Sequence, residues 1–440
     1  MENTEITFEY RDEFNRKPIA ENLIKLLDSD IDISPMIIDG MWGTGKTEFC
    51  HKITNSMQHN NKKVVYINAF AEDHADAPLL TILSAIVSLI PDENNRRKDF
   101  IKQSIPAIKF AVKTTMKAGI SWVLKQEADK LAEDFQGAIS EISNTAIDNT
   151  VEKILTDHIE SQKNIQTLKD ALISISSDEN LNIFIDELDR CKPSFAVSIL
   201  ECIKHIFDVP NVNFILVTNT QQLVASINHI YGESVDARKY LDKFIKFTYQ
   251  LPERAKTEQD SNILASHIYW KILTSENNHL TEINRNFIRD MNYLVECNRL
   301  SLRDTEKFIR YIKIIQRIDN NQIGNILYGK ALAKLIAVYI FCFNTNLAIN
   351  IANGSYDIGS TLGLFNLNKF NLQRNLDETP NIIIALFNIL KDTREIKILH
   401  PEVNDEIKGN WLGRMASISG SPVSNVYQIF CETINKLQLK

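Results

Sequence analysis

The stretch Gly40-Met41-Trp42-Gly43-Thr44-Gly45-Lys46-Thr47 constrains this chain more than any other. It matches G-x-x-x-x-G-K-[ST] at every fixed position, and the apolar run Met36-Ile37-Ile38 leads into it. Behind it, Phe49, Ile53 and Met57 recur at helical spacing from Thr47 to Met57. A strand, a glycine loop and a helix in that order give the pattern physical meaning. Glycines let the backbone curl until its N–H groups converge, and the helix start adds partial positive charge at the same point. That is a phosphate site. Lys46 supplies a point charge for β- and γ-phosphates, and the Thr47 hydroxyl is a ligand for Mg²⁺. The candidate nucleotide-binding set is Gly40, Met41, Trp42, Gly43, Thr44, Gly45, Lys46, Thr47 and Glu48. A chance glycine turn is the competing reading, and the flanking strand and helix weigh against it.

A phosphate loop needs an acidic partner. Leu181-Asn182-Ile183-Phe184-Ile185-Asp186-Glu187 reads as an apolar strand ending in two carboxylates. Asp186 is the candidate metal residue beside Thr47, and Glu187 the candidate for polarising an attacking water. Adjacent side chains on a strand point opposite ways, which would send one carboxylate to the metal and one to the γ-phosphate. A further buried strand, Phe214 to Val217, ends at Thr218 and Asn219. Asn219 is a candidate γ-phosphate sensor, and capping of the helix expected at Gln221–Ile230 is its equal rival. The parallel strands expected are Met36–Ile38, Val64–Asn68, Ile183–Asp186 and Phe214–Val217, with nucleotide at their carboxyl ends.

At 440 residues, two or three domains fit the length. The boundary falls at Leu251-Pro252, giving an α/β phosphate-loop domain over 1–252 and a mostly α-helical region over 253–440. From Glu253 onward the pattern is helical, without strand alternation, and Ser301 with Asp304 reads as a capping box. A helical insertion occupies about 92–178. Within it, residues 105–124 approach the length of a membrane span. Lys109, Lys113 and Lys117 would each cost about 2.5–3.5 kcal/mol at a bilayer centre, more than the neighbouring apolar residues return. The three lysines instead form one stripe on an amphipathic helix, and no transmembrane span is expected. A net charge of −7 gives no strong nucleic-acid signal and disfavours a motor on DNA or RNA. The six cysteines are scattered without metal spacing, which suits a reduced, cytoplasmic chain.

Gly40 to Thr47 resembles the G-x-W-G-[ST]-G-K-[ST] loop of the KAP family of P-loop NTPases. Ile185-Asp186-Glu187-Leu188-Asp189-Arg190-Cys191-Lys192-Pro193 is similar to that family's D-[DE]-L-D-R-C-x-P signature. Tyr240-Leu241-Asp242-Lys243, followed by Leu251-Pro252, resembles its Y-L-[DE]-K stretch and downstream Leu-Pro. The resemblance covers roughly residues 10–315. It implies an ATPase using Mg²⁺, with a core like AAA+ and STAND proteins and an insertion between the Walker A and Walker B motifs. It also implies a switch in bacterial anti-phage defence, a homo-oligomer, and a protein partner or effector encoded in the same operon. ATP rather than GTP rests on the family, since no N-K-x-D base-reading motif is evident. By the same route Lys46 and Glu187 are catalytic candidates. Arg190 is either a finger acting across an oligomer interface or a partner of Asp189 or Asp186. Arg238 and Arg303 are its rivals, Arg303 standing where lids of AAA+ proteins place a sensing arginine. The alternative is an ATP-gated scaffold with little hydrolysis, against which Glu187 argues.

Overall fold

Runs of β-branched and aliphatic residues bounded by turn formers pair into one five-stranded sheet. The computed structural model describes residues 6–75, 78–90, 172–206, 208–256, 262–275, 278–320, 323–367, 378–388 and 404–439, with isolated positions between them. The insertion expected at 92–178 falls mostly outside the described residues, as does the Lys109/Lys113/Lys117 stripe. Two compact units divide the chain, Met1–Pro252 and Glu253–Lys440.

In the first unit, α1 (Lys17–Leu27) precedes β1 (Met36–Asp39), α2 (Lys46–His59) and β2 (Lys63–Asn68). The short α3 (Ala69–Glu72) and α4 (Pro78–Ser88) follow. Then come β3 (Leu181–Asp186), α5 (Pro193–Ile206), β4 (Val212–Thr218), α6 (Thr220–Tyr231), α7 (Ala237–Asp242) and β5 (Phe247–Gln250). The strands are all parallel, in the order β2-β3-β4-β1-β5. Alternation sorts the side chains onto two faces. Met36, Ile38, Phe184 and Ile215 join Phe49 and Ile53 of α2 in one core. Ile37, Ile183, Ile185, Phe214 and Leu216 join α4, α5 and α6 in the other. Both faces are covered, so the central strands read as continuous apolar runs. The order sets β4 between the strand entering the glycine loop and the strand ending in Asp186. Three motifs distant in sequence therefore end side by side at one edge.

The four expected strands are all present, each within two residues of its expected ends. The sequence reading omits three others. β5 is a short edge strand with alternating half-buried and exposed residues, and it pairs with β1. At the head of the second unit, β6 (Arg254–Lys256) and β7 (Asn262–Leu264) pair antiparallel, which corrects the expectation of no strand beyond Glu253. Three residues are too few for alternation to register.

The rest of the second unit is helical: α8 (Ala265–Ser275), α9 (Asn278–Cys297), α10 (Leu302–Ile318), α11 (Tyr328–Phe343), α12 (Thr345–Ala352), α13 (Ile358–Gly363), α14 (Thr379–Asn388), α15 (Asp405–Ser419) and α16 (Val423–Leu437). The Ser301–Asp304 capping box is formed in both directions at the start of α10. α11 is buried nearly all round, as an evenly apolar helix must be. No described helix is long and apolar enough to cross a membrane. Residues 105–124 lie outside the described residues.

α11 carries one buried cation, Lys334. Its ammonium donates to Asp319 Oδ2, while Lys436 donates to Oδ1 at 2.6 Å. Burial pushes the Asp319 carboxyl up, but hydrogen bonds from the two lysines outweigh it and leave the pKa below the ordinary value. Removing one partner of such a pair strands the other in an apolar interior. Asp319→Ala should therefore destabilise the second unit by about 3–5 kcal/mol at pH 7, measured by urea unfolding. Because the folded carboxyl titrates low, the contribution is complete above the unfolded pKa of about 3.9. It should fade as pH falls through the folded value, so the gap between wild type and Asp319→Ala narrows in acid.

Candidate functional site at the carboxyl ends of β1, β3 and β4

The loop between β1 and α2 has the shape its glycines permit. Gly43 and Gly45 take φ values of 78° and 83°, in the left-handed region that favours glycine. At Gly40 a Cβ would lie 2.9 Å from Thr44 Oγ1, so a side chain there would collide with the loop's own turn. The Gly40 N–H donates to Thr218 O at 3.2 Å, anchoring the loop's start to the end of β4. No side chain caps the start of α2, and its first N–H groups are left to an anion. Lys46 folds back over this mouth, its Nζ donating to Gly40 O at 2.5 Å and to Met41 O at 3.2 Å. Burial lowers the ammonium's pKa, while the charges of Asp189, Asp186 and Asp39 oppose that. Thr47 is half-buried in the first turn of α2. The Glu48 carboxylate is held by Lys52 at 2.9 Å and Arg11 at 3.5 Å, so its side chain serves an ion cluster.

Arg16 supports the loop from behind. Its guanidinium, in a residue 5% exposed, donates through Nη2 to Thr44 O at 3.0 Å and to Pro252 O at 3.2 Å. The group lies over the Phe14 ring, 4.9 Å from its centroid. Burial lowers the Arg16 pKa, but a guanidinium remains charged in proteins. Thr44 sits between the two left-handed glycines, so this bond pins the least constrained part of the loop.

The acidic end is equally organised. Asp186 is 1% exposed; its Oδ2 accepts from the Tyr66 hydroxyl at 2.7 Å and its Oδ1 from the Glu187 N–H at 2.7 Å. Burial, then the Asp186 charge, push the phenol's pKa up, so Tyr66 stays protonated and donates. Glu187 leaves the strand in a left-handed conformation, with φ 61°. This corrects the expectation from strand alternation: β3 ends at Asp186, and the left-handed turn aims the glutamate. Its carboxylate pairs with Arg190 Nη1 at 2.7 Å and accepts from Asn68 Nδ2 at 3.4 Å. Arg190 is thus engaged by Glu187, where the sequence reading had offered Asp189 or Asp186 as its partner. Asp189 turns the other way. Its Oδ2 accepts from the Trp42 indole N–H and its Oδ1 from the Thr218 hydroxyl at 3.2 Å.

Asn219 caps α6 through Oδ1, accepting from Gln221 N at 3.1 Å, while Nδ2 reaches Met41 Sδ at 4.0 Å. Asn68 does likewise at the end of β2, capping α3 through Oδ1 and reaching Glu187 through Nδ2. Each strand-end asparagine thus starts a helix with one atom and faces the site with another. Met41 and Trp42 remain exposed at the mouth. Arg238 is exposed on α7, and Arg303 is exposed in the first turn of α10, in the second unit.

The profile of the KAP family P-loop domain matches residues 16–318, more than half of the chain. The chain belongs to the KAP family. The KAP match begins at Arg16 and ends at Ile318, the last residue of α10, so it includes part of each compact unit. The chain is also similar to the phage T7 exclusion protein of Escherichia coli (strain K12), 22% identical over 254 residues. That alignment covers 53% of this chain and 32% of the relative, so the chain spans about a third of the length of the protein it matches. Within the KAP loop and its acidic signature, sequence reasoning identified Lys46, Thr47, Asp186 and Glu187. It passed over Arg16, Tyr66 and Asn68, although Tyr66 and Asn68 lie two apart on β2 and so share a face.

Arg16→Ala should leave the Thr44 and Pro252 carbonyls without their donor. We expect a loss of about 1–3 kcal/mol and faster amide hydrogen exchange across residues 40–49, with the second unit unaffected.

Proposed function

We propose that this KAP protein hydrolyses ATP with Mg²⁺ and uses the cycle as a conformational or assembly switch in defence against phage. One observation carries the reading: an uncapped helix start behind a left-handed glycine loop lies beside the Asp186–Glu187 strand end. The relative named for phage T7 exclusion supports the biological setting.

Oxygen donors suit Mg²⁺. The Thr47 hydroxyl and the buried Asp186 carboxylate would hold it, and no described cluster of three or more His, Cys, Asp or Glu residues competes. An ion shared with phosphates needs only one or two protein ligands. When bound, Mg²⁺ neutralises charge on the β- and γ-phosphate oxygens. The chain's own residues do the rest. Backbone N–H groups from Gly43 to Glu48 receive phosphate oxygens, and Lys46 leaves the carbonyls of Gly40 and Met41 to meet the β- and γ-phosphates. Tyr66 orients Asp186 by donating to it. Glu187 orients the attacking water and takes its proton once the carboxylate parts from Arg190. Asn219 and Arg303 are the proposed γ-phosphate sensors. Arg190, once released, and Arg238 are candidates for acting across the interface of a homo-oligomer. An operon-encoded partner would receive the switch. We place the chain in the cytoplasm, a reading supported by its six free cysteines.

A second reading, an ATP-gated scaffold with little hydrolysis, draws on the same ion pair. Glu187 is engaged by Arg190 and Asn68, and a carboxylate so held has its oxygens turned to those partners and not to a water. Phosphate release from ATP separates the two. Wild type should turn over, and Lys46→Ala and Glu187→Gln should each lower the rate by about 10²–10⁴-fold, with Glu187→Gln still holding ATP. Arg190→Ala should raise the rate of the isolated chain by freeing Glu187. Native mass with and without nucleotide reads assembly. ATP binding without turnover in wild type and in Arg190→Ala would favour the scaffold.

A further inference from the structure

Asp189 belongs to neither role assigned above, yet it touches two of the three strand ends that form the site. Its Oδ2 accepts from the Trp42 indole N–H in the glycine loop, and its Oδ1 accepts from the Thr218 hydroxyl, a residue 0% exposed at the end of β4. Both neighbours are neutral donors. Among the described residues Asp189 forms no ion pair, and its charge acts on Lys46 without direct contact. A carboxylate accepts on both sides at once, from the indole N–H and from the hydroxyl; an apolar side chain of similar size would accept from neither. Of the carboxylates around Lys46, Asp189 exerts the largest electrostatic pull.

Packing accounts for only part of the tryptophan: Trp42 is 47% exposed, so about half of its surface stays in water. What it gains is a fixed direction. It stands between Met41 and the left-handed Gly43, two residues before the Thr44 carbonyl that Arg16 holds. Glycines make this segment costly to order, and a loop ordered before its ligand arrives spares binding that cost.

We propose that Asp189 is a positioning residue, tying Trp42 to Thr218 so that the glycine loop is already shaped for a triphosphate. This rests on the reading of the loop as an ATP site. Asp189 is not asked to touch the nucleotide; it acts through Trp42.

The test is a double-mutant cycle on the full chain, read by the Kd of a fluorescent N-methylanthraniloyl ATP. Trp42→Phe keeps an aromatic ring and removes the donor, and Asp189→Leu keeps a side chain of similar size while removing both acceptors, with circular dichroism checking that each folds. Thr218→Val provides a second way to break the other arm. Each single variant should weaken the analogue about 5–20-fold, and Trp42→Phe/Asp189→Leu should bind no worse than the weaker single variant, because both remove one tie. Without nucleotide, Asp189→Leu should also shift the Trp42 emission, obtained as the difference from the matching Trp42→Phe protein. Additive losses, no loss, or an unmoved Trp42 emission would overturn the tie while leaving the ATP site standing. Failure of wild type to bind the analogue would overturn both. A purely structural role would lower thermal stability in each variant and leave the two losses independent.

Discussion

A glycine-rich phosphate loop has almost no side chains with which to hold its own form, and that deficit organises the first unit. Freedom at Gly40, Gly43 and Gly45 is required for N–H groups to converge, so rigidity has to be supplied from outside. The structure supplies it at three points: Thr218 O on the Gly40 N–H, the Arg16 guanidinium on the Thr44 carbonyl, and Asp189 on the Trp42 indole. Each comes from a different part of the chain. A local motif is held by non-local bonds.

The same economy runs through the acidic side. The turn Leu188–Arg190 carries two opposite charges in sequence, and they face different ways. Asp189 serves the loop and Arg190 serves Glu187. The glycine loop, the end of β4 and the Glu187 carboxylate are thus joined through two consecutive residues. A movement of the loop that draws on Trp42 would be felt one residue away from the arginine that restrains the glutamate.

Much of this was legible beforehand where the signal is local. The strand–loop–helix unit follows from glycine spacing and helical periodicity at Phe49, Ile53 and Met57, and the Ser301–Asp304 box follows from side-chain reach within one turn. The central strands were readable because parallel strands buried on both faces are unbroken apolar runs. β5, β6 and β7 were not, since an edge strand of four residues and a ribbon of three give too little alternation to separate from loop. The direction of Glu187 was misread for a related reason: a left-handed residue after the strand overrides the alternation that seemed to fix it.

By itself, the sequence determined that the first unit is built round a phosphate loop. It also determined that Lys46, Thr47, Asp186 and Glu187 are the residues to follow, because motif spacing and strand character are properties of short segments. The tertiary structure decided what those residues face. Only the order β2-β3-β4-β1-β5 brings Asn219 and Thr218 between the loop and the acids, sets Tyr66 against Asp186, and sets Trp42 against Asp189. Those partners lie 29 to 147 positions apart. No local pattern encodes a pairing of that range, which arises only when the packed sheet brings separate strand ends to one edge.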